Sequence, residues 1–267
     1  MKFITSLSTL KQNVEKRAGV QKEEIDLSQF LTRSEFEKIE SPFPHVVIDD
    51  FFKKEHYEAL LGYFNSVYER GLVETNDPLK FHPFLNLKGK FAYDGYVHSP
   101  KLDELHSFHP FFSVAWNMLF SSLFRQPTGW STSTALHYHP PGDKTGFIHH
   151  DYASKVFSPE DRLPNGVIYR STEGEHLSFF KERRIISLIY YLGNEAWKEG
   201  DGGETGLYES IDGNPVKLIE PRNNRMLAFQ ISPKSFHAFQ KNHTPRSSIV
   251  QWFHINERWA QEKYGYL

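Results

Sequence analysis

The sequence predicts a mainly β protein with flanking helices: a sandwich or jelly-roll core preceded by an N-terminal helical layer. Three observations predict it. From Trp130 onward, short runs rich in Val, Ile, Thr, Phe and Tyr recur between clusters of Gly, Pro, Asn and Asp. Upstream, apolar residues fall instead at helical spacing. Hydrophobic residues at 39% and aromatics at 15%, with 23 Phe and 13 Tyr, supply a sizeable core for 267 residues.

The elements follow in order. Pro44-His45-Val46-Val47-Ile48 reads as a short strand. Between Lys54 and Arg70, Tyr57, Leu60, Leu61, Phe64, Val67 and Tyr68 form a helical stripe that Gly71 ends. A second helix starts near Pro110, where a first-turn proline is tolerated, and runs through Phe124 before Pro127 stops it. Eight strands are then expected: Thr132–Tyr138, Gly146–Asp151, Arg184–Leu192, Glu204–Tyr208, Val216–Ile219, Met226–Gln230, Ser235–Gln240 and Ser247–His254. Pro141-Gly142-Asp143, Asp201-Gly202-Gly203 and Asp212-Gly213-Asn214 punctuate them. With no repeat, low-complexity tract or Gly/Ser linker, a single domain over 1–267 is expected. Its parts are a support region at 1–129 and a core at 130–256, interrupted by a polar insert at 152–183 that carries Asn165-Gly166.

Composition removes several function classes. The net charge is −2 and no run of five like charges occurs, so neither nucleic acid nor an anionic membrane is an expected partner. There is no cysteine, which excludes disulfides, Cys–zinc sites and thiol nucleophiles. No stretch approaches the roughly 18 apolar residues of a membrane span. The first residues are too weakly apolar for a secretory signal, and a cytoplasmic location is expected.

The chemistry gathers at Phe147-Ile148-His149-His150-Asp151. On an extended chain, side chains alternate faces, so His149 and Asp151 point one way and His150 the other. An imidazole and a carboxylate side by side can be two ligands of a metal, and His237, on a distant strand, can be the third. Two His and one carboxylate on one face of an iron leave three positions open, the arrangement used for O₂ chemistry at non-haem Fe(II). Nine residues beyond His237, the span of a strand, a turn and the start of an antiparallel partner, stands Arg246. It shares a face with Ser248, and a guanidinium fork plus a hydroxyl suits a buried carboxylate.

These residues, taken in order, resemble the prolyl-4-hydroxylase-like 2-oxoglutarate/Fe(II) oxygenases. The resemblance runs through Tyr138, Pro141-Gly142-Asp143 and His149-x-Asp151, then Arg184 to Leu192, Gly202-Gly203-Glu204 to Tyr208, His237 and Arg246-x-Ser248. Upstream, Pro42-Phe43-Pro44-His45 to Phe52 is similar to a segment common in bacterial members. The resemblance implies a double-stranded β-helix core in which His149, Asp151 and His237 hold Fe(II). It implies that 2-oxoglutarate chelates the metal and that Arg246, helped by Ser248 and Tyr138, binds its distal carboxylate. The implied reaction uses O₂ to hydroxylate an unactivated C–H bond, with succinate and CO₂ as coproducts and ascorbate as a candidate reductant. Because Asp151 is present, hydroxylation is expected rather than halogenation. An amino-acid-like, peptidyl or small natural-product substrate stays open.

Other readings are weaker. His137-x-His139 with Asp143 suggests a cupin-type metal site, but Pro140-Pro141 breaks that strand. His150 reads as a packed histidine, and His243 as a solvated turn residue. Trp130, Tyr190 and Trp252 read as core aromatics and Arg183-Arg184 as the start of a strand. The rival function is a non-catalytic metal-binding jelly roll of the cupin kind. A nucleic-acid demethylase of the AlkB kind would require a basic groove, which the charge does not supply.

Overall fold

The computed structural model describes residues 4–6, 25–69, 82–85, 91–96, 110–129, 131–142, 144–159 and 180–265. Gly71, Trp130, Asp143 and most of the polar insert, with Asn165 and Gly166, lie outside the described residues. In chain order the elements are β1 (Ile4–Ser6), β2 (Glu35–Glu37), β3 (His45–Ile48), α1 (Lys54–Glu69), β4 (His82–Leu85), β5 (Phe91–Tyr96) and α2 (Val114–Phe124). Then follow β6 (Thr132–His139), β7 (Ser154–Phe157), β8 (Phe180–Tyr191), β9 (Thr205–Tyr208), β10 (Lys217–Ile219), β11 (Arg225–Gln230), β12 (Phe236–Phe239), β13 (Arg246–Asn256) and α3 (Glu257–Tyr264).

A large antiparallel sheet runs in the order β3-β11-β8-β13-β6-β5-β4, with β7 pairing the first half of β8. A small sheet, β10-β9-β12, forms the other wall, and β1 pairs with β2 separately. The result is the expected jelly roll with flanking helices. β13 lies between β6 and β8 and is buried along nearly its whole length, Arg246, Gln251 and His254 included.

Alternation along β13 assigns the two faces. Ile249, Gln251 and Phe253 face the helices: the Trp116 indole of α2 donates to Gln251 Oε1 at 2.8 Å, and Phe120 packs on Phe253 with ring centres 5.3 Å apart. Phe51, Phe52 and Tyr190 join this aromatic layer. Arg246, Ser248 and Trp252 face the small sheet. Helix α2 begins at Ser113, whose hydroxyl accepts from the Trp116 amide at 3.1 Å, and residues 110–112 form a 3₁₀ turn ahead of it. The helix therefore starts slightly later than Pro110 suggests, because the serine cap and not the proline sets its origin.

Two differences from the sequence reading matter. The N-terminal half supplies strands as well as helices: β3 extends the large sheet through β11, and β4 and β5 extend its opposite end through β6. Pro83, Asp94 and Gly95 hide β4 and β5 from a propensity reading. Second, Gly146–Asp151 is not a regular strand. The Gly146 amide donates to Phe239 O, while His149 exchanges both backbone hydrogen bonds with His237. Between these contacts the segment advances three residues and β12 retreats two, so the ladder carries a bulge and His149 remains as an isolated bridge. None of the helices among the described residues is long and apolar enough to cross a membrane.

Candidate metal and cosubstrate site

The bridge between His149 and His237 brings two imidazoles from distant parts of the chain side by side, with ring centres 4.4 Å apart. Two residues on, Asp151 turns its carboxylate between them: Oδ1 is 3.7 Å from His149 Nε2 and Oδ2 is 3.6 Å from His237 Nε2. The three ligating atoms lie within 4.8 Å of one another, and no other group of three metal-ligating side chains occurs among the described residues. Each imidazole has its Nδ1 against a backbone carbonyl two residues upstream, His149 on Phe147 O at 3.0 Å and His237 on Ser235 O at 3.2 Å. With Nδ1–H donating there, the lone pair of each Nε2 points toward the shared centre, the orientation that a metal requires.

The electrostatics agree with a ligand set. Burial holds His237 down at about 4, against an opposing pull from Asp151, so its imidazole is neutral near pH 7. Burial pushes Asp151 up, but His237, Arg184 and His149, with a hydrogen bond from the Trp252 indole, outweigh it and bring the carboxyl to about 2. With His237 neutral, the permanent charge of Arg184 and the indole N–H are what act on the carboxylate near pH 7. The Trp252 indole donates to Asp151 Oδ2 at 2.7 Å, Arg184 Nη1 stands 3.6 Å from Oδ1, and its guanidinium lies over the Trp252 ring at 4.0 Å. Trp252 is a core aromatic, as the sequence suggested, and in addition donates to Asp151; Arg184, expected to open a strand, lies within β8 and faces the carboxylate. Trp252 shares the parity of Arg246 and Ser248 on β13, and that signal could have found it. Arg184 could not be found so, because the register shifts where β13 passes Phe253 and His254.

Arg246 is buried on the same face. Its Nη1 donates to Ser248 Oγ at 3.3 Å and its Nη2 to Thr205 Oγ1 at 3.2 Å; Thr205 in turn hydrogen-bonds Tyr191 at 2.7 Å. Tyr191 and Phe239 lie under the guanidinium, at 5.1 and 5.5 Å. Arg246 Nε is buried with no hydrogen-bond partner, and no carboxylate among the described residues is paired with the group. A buried guanidinium without a counter-charge costs several kcal/mol. The donor set thus fits a carboxylate arriving from outside the chain, as the two imidazoles and Asp151 fit a divalent metal.

Tyr138 does not join this cluster. It lies opposite Ser247 in the β6–β13 register, on the helix face of the sheet, whereas His137 and His139, opposite Ser248 and Arg246, share the site's face. The expectation that Tyr138 helps bind the cosubstrate is therefore corrected: side-chain alternation points it away. His139 stacks on Phe239 at 4.1 Å, and His150 lies against Phe236, as a packed histidine should. Thr205 and Tyr191, rather than Tyr138, lie beside Arg246. Gly202 and Gly203, at φ +78° and +79°, allow the approach: a Cβ on Gly202 would meet Lys241 O at 1.9 Å, and one on Gly203 would touch Arg246 Cγ at 3.4 Å.

The jelly roll carries a His-Asp-His set that could hold a metal and, among the described residues, a buried guanidinium with no carboxylate partner. Residues 134–254, a little under half of the chain, match the family model described as the 2OG-Fe(II) oxygenase superfamily. Over 80 residues the chain is 39% identical to the prolyl 3-hydroxylase OGFOD1 of Xenopus laevis, a match covering 27% of this chain and only 16% of that protein. Among solved structures it is similar to a prolyl-4-hydroxylase from Pseudomonas putida (TM-score 0.51, 16% identity, 78% of this chain and 91% of that one). It is also similar to a Trichoplax adhaerens prolyl hydroxylase in complex with a hypoxia inducible factor peptide fragment (TM-score 0.53, 14% identity, 82% and 86%). At these identities the structural likeness is one of fold. The resemblance to the prolyl-4-hydroxylase-like oxygenases, read first from the motifs, is met by the family model and by these relatives.

Proposed function

We propose that this chain is an Fe(II)- and 2-oxoglutarate-dependent dioxygenase that hydroxylates an unactivated C–H bond in an amino-acid residue of a peptide or protein, releasing succinate and CO₂. One observation carries the reading: Arg246, buried and without a carboxylate partner among the described residues, faces the small sheet, whose β12 carries His237 of the convergent His149-Asp151-His237 set. A metal-binding jelly roll without catalysis would not need to keep that charge dry. Bound Fe(II) supplies the reaction of O₂ with the cosubstrate that couples decarboxylation to C–H hydroxylation.

The chain's own residues orient and insulate. His149 and His237 present Nε2 because their Nδ1 protons are held by carbonyls. Trp252 and Arg184 fix the Asp151 carboxylate. Arg246, with Thr205 and Ser248, is suited to the distal carboxylate of 2-oxoglutarate, and the Tyr191 and Phe239 rings keep water from it. The peptidyl choice is favoured by the relatives, which are named prolyl hydroxylases, one of them complexed with a peptide, and by exposed Phe147 beside half-open His149 at the rim.

The test is succinate release under Fe(II), ascorbate and O₂ with proline-containing peptides, and with free proline as the competing substrate class. Wild type is expected to release succinate in step with peptide oxidation, and His149→Ala to fall to the no-enzyme background. Release that does not depend on Fe(II), or that survives His149→Ala, overturns the reading.

A further inference from the structure

The mechanism above leaves Tyr152 unused, although it directly follows the carboxylate ligand. Tyr152 is fully buried and does not face the site; its hydroxyl donates to Ala260 O of α3 at 2.8 Å and approaches Gly265 O at 3.5 Å. Its ring meets Tyr264 edge-on at 5.8 Å, and the Arg183 guanidinium covers it at 4.6 Å. Arg183 Nη2 also donates to Glu257 Oε1 at 2.9 Å, and the Ser154 hydroxyl donates to the same carboxylate oxygen. The first and last turns of α3 thus grip residues 152–154 from both sides.

That grip matters because of what the backbone lacks. His149 is held by its bridge to His237, but beyond it the chain leaves the ladder. The next ties are the Ala153 amide on Asp151 O at 2.7 Å and the Arg184 amide on Ala153 O at 3.0 Å. The Asp151 backbone therefore sits on a short span outside the ladder; Trp252 and Arg184 hold its carboxylate, and Tyr152 ties the span to the C-terminal helix. The dependence runs both ways. A helix of eight residues does not hold itself in water, so α3 exists because it is docked. It is docked at Tyr152, at Gln230 Nε2 to Tyr264 OH (2.7 Å) and at Lys263 Nζ to Gln126 Oε1 (2.5 Å).

We infer that Tyr152 is a positioning residue through which the C-terminal helix sets the Asp151 carboxylate for metal binding, so that α3 is part of the metal site's scaffold. This rests on the metal reading given above. Mn(II), which takes N and O ligands, is the probe, its binding to the full chain followed by the loss of the free-ion EPR signal. Tyr152→Phe keeps the ring packing and loses the hydroxyl. It is expected to bind Mn(II) about fivefold more weakly than wild type, the effect of one buried hydrogen bond passed to a ligand, while thermal unfolding stays cooperative. A purely structural tyrosine would lower the melting temperature and leave Mn(II) affinity in the folded protein unchanged, and that result overturns the inference. If Tyr152→Phe does not fold, Glu257→Gln at the other end of the grip carries the same test, with unchanged affinity again overturning it. His237→Ala separates the two levels. Wild type that binds no Mn(II), or His237→Ala that binds it equally well, overturns the metal reading and this inference together, whereas loss in His237→Ala with full binding in Tyr152→Phe overturns only the inference.

Discussion

Arg246 is the residue on which the chemistry of the site turns, and its surroundings explain why an arginine and not a lysine stands there. Thr205 and Ser248 each take one arm of the guanidinium, and the Tyr191 and Phe239 rings offer their faces to a flat cation. What remains is a set of donors suited to a second carboxylate-bearing molecule. Arg246→Ala is expected to weaken 2-oxoglutarate binding on the order of 100-fold, since losing one partner of a buried charge pair costs 2–5 kcal/mol. Mn(II) binding by the same variant should change little, because the triad does not touch Arg246. Titration calorimetry with each ligand separates the two, and equal losses for both would show that the site had collapsed. At this scale the sequence was readable wherever parity ruled. His149 and Asp151 share a face by alternation, as do Arg246 and Ser248. The same rule, applied from β13 across to β6, turns Tyr138 away, but only once the register is known, and register is a pairing of distant segments that no local pattern contains.

At the scale of elements, most of the core strands stand within a few residues of where hydrophobic runs and turn residues put them. The exceptions have definite causes. Gly146–Asp151 fails as a strand because one extra residue opposite β12, between Gly146 and His149, breaks the ladder. β4 and β5 carry Pro83, Asp94 and Gly95, so local propensity conceals what pairing with β6 enforces. Arg184 lies within β8, opposite a register shift, where no periodicity would predict its contact with Asp151. Gly202 sits at the corner where the β9 approach passes the 241–246 loop. Gly202→Ala places a methyl 1.9 Å from a backbone carbonyl, at a φ that side chains avoid. Urea denaturation is expected to show a loss of about 3 kcal/mol, the sum of left-handed strain and a forced backbone shift. A loss below 1 kcal/mol would mean that the loop yields freely.

For the whole molecule, one edge strand of the large sheet, β3, is fastened to β11 by more than its ladder. Arg225 Nη2 donates to Asp49 Oδ2 at 3.0 Å and its Nε to the other oxygen, and this hydrogen bonding holds the Asp49 carboxyl below its ordinary value of 3.8. A carboxyl lowered on folding contributes stability above its unfolded value, and the contribution fades as pH falls through the folded value. Asp49→Asn is therefore expected to be less stable than wild type at pH 7 and to converge with it below about pH 4. Half exposure keeps the difference under about 1 kcal/mol. Chemical denaturation at the two pH values checks this, and a gap that widens in acid would reverse the sign.

β13 divides two duties along a single backbone, since its even positions from 246 to 252 face the small sheet and the proposed site while its odd positions clamp the helical roof. Substitutions read residue by residue along it should interleave. Polar replacements at Ile249 or Phe253 would cost folded yield, whereas Ser248→Ala is expected to leave yield and weaken 2-oxoglutarate binding. Reshaping the face that looks toward the small sheet therefore has every second position of one strand to work with, while the neighbours of those positions must keep the fold.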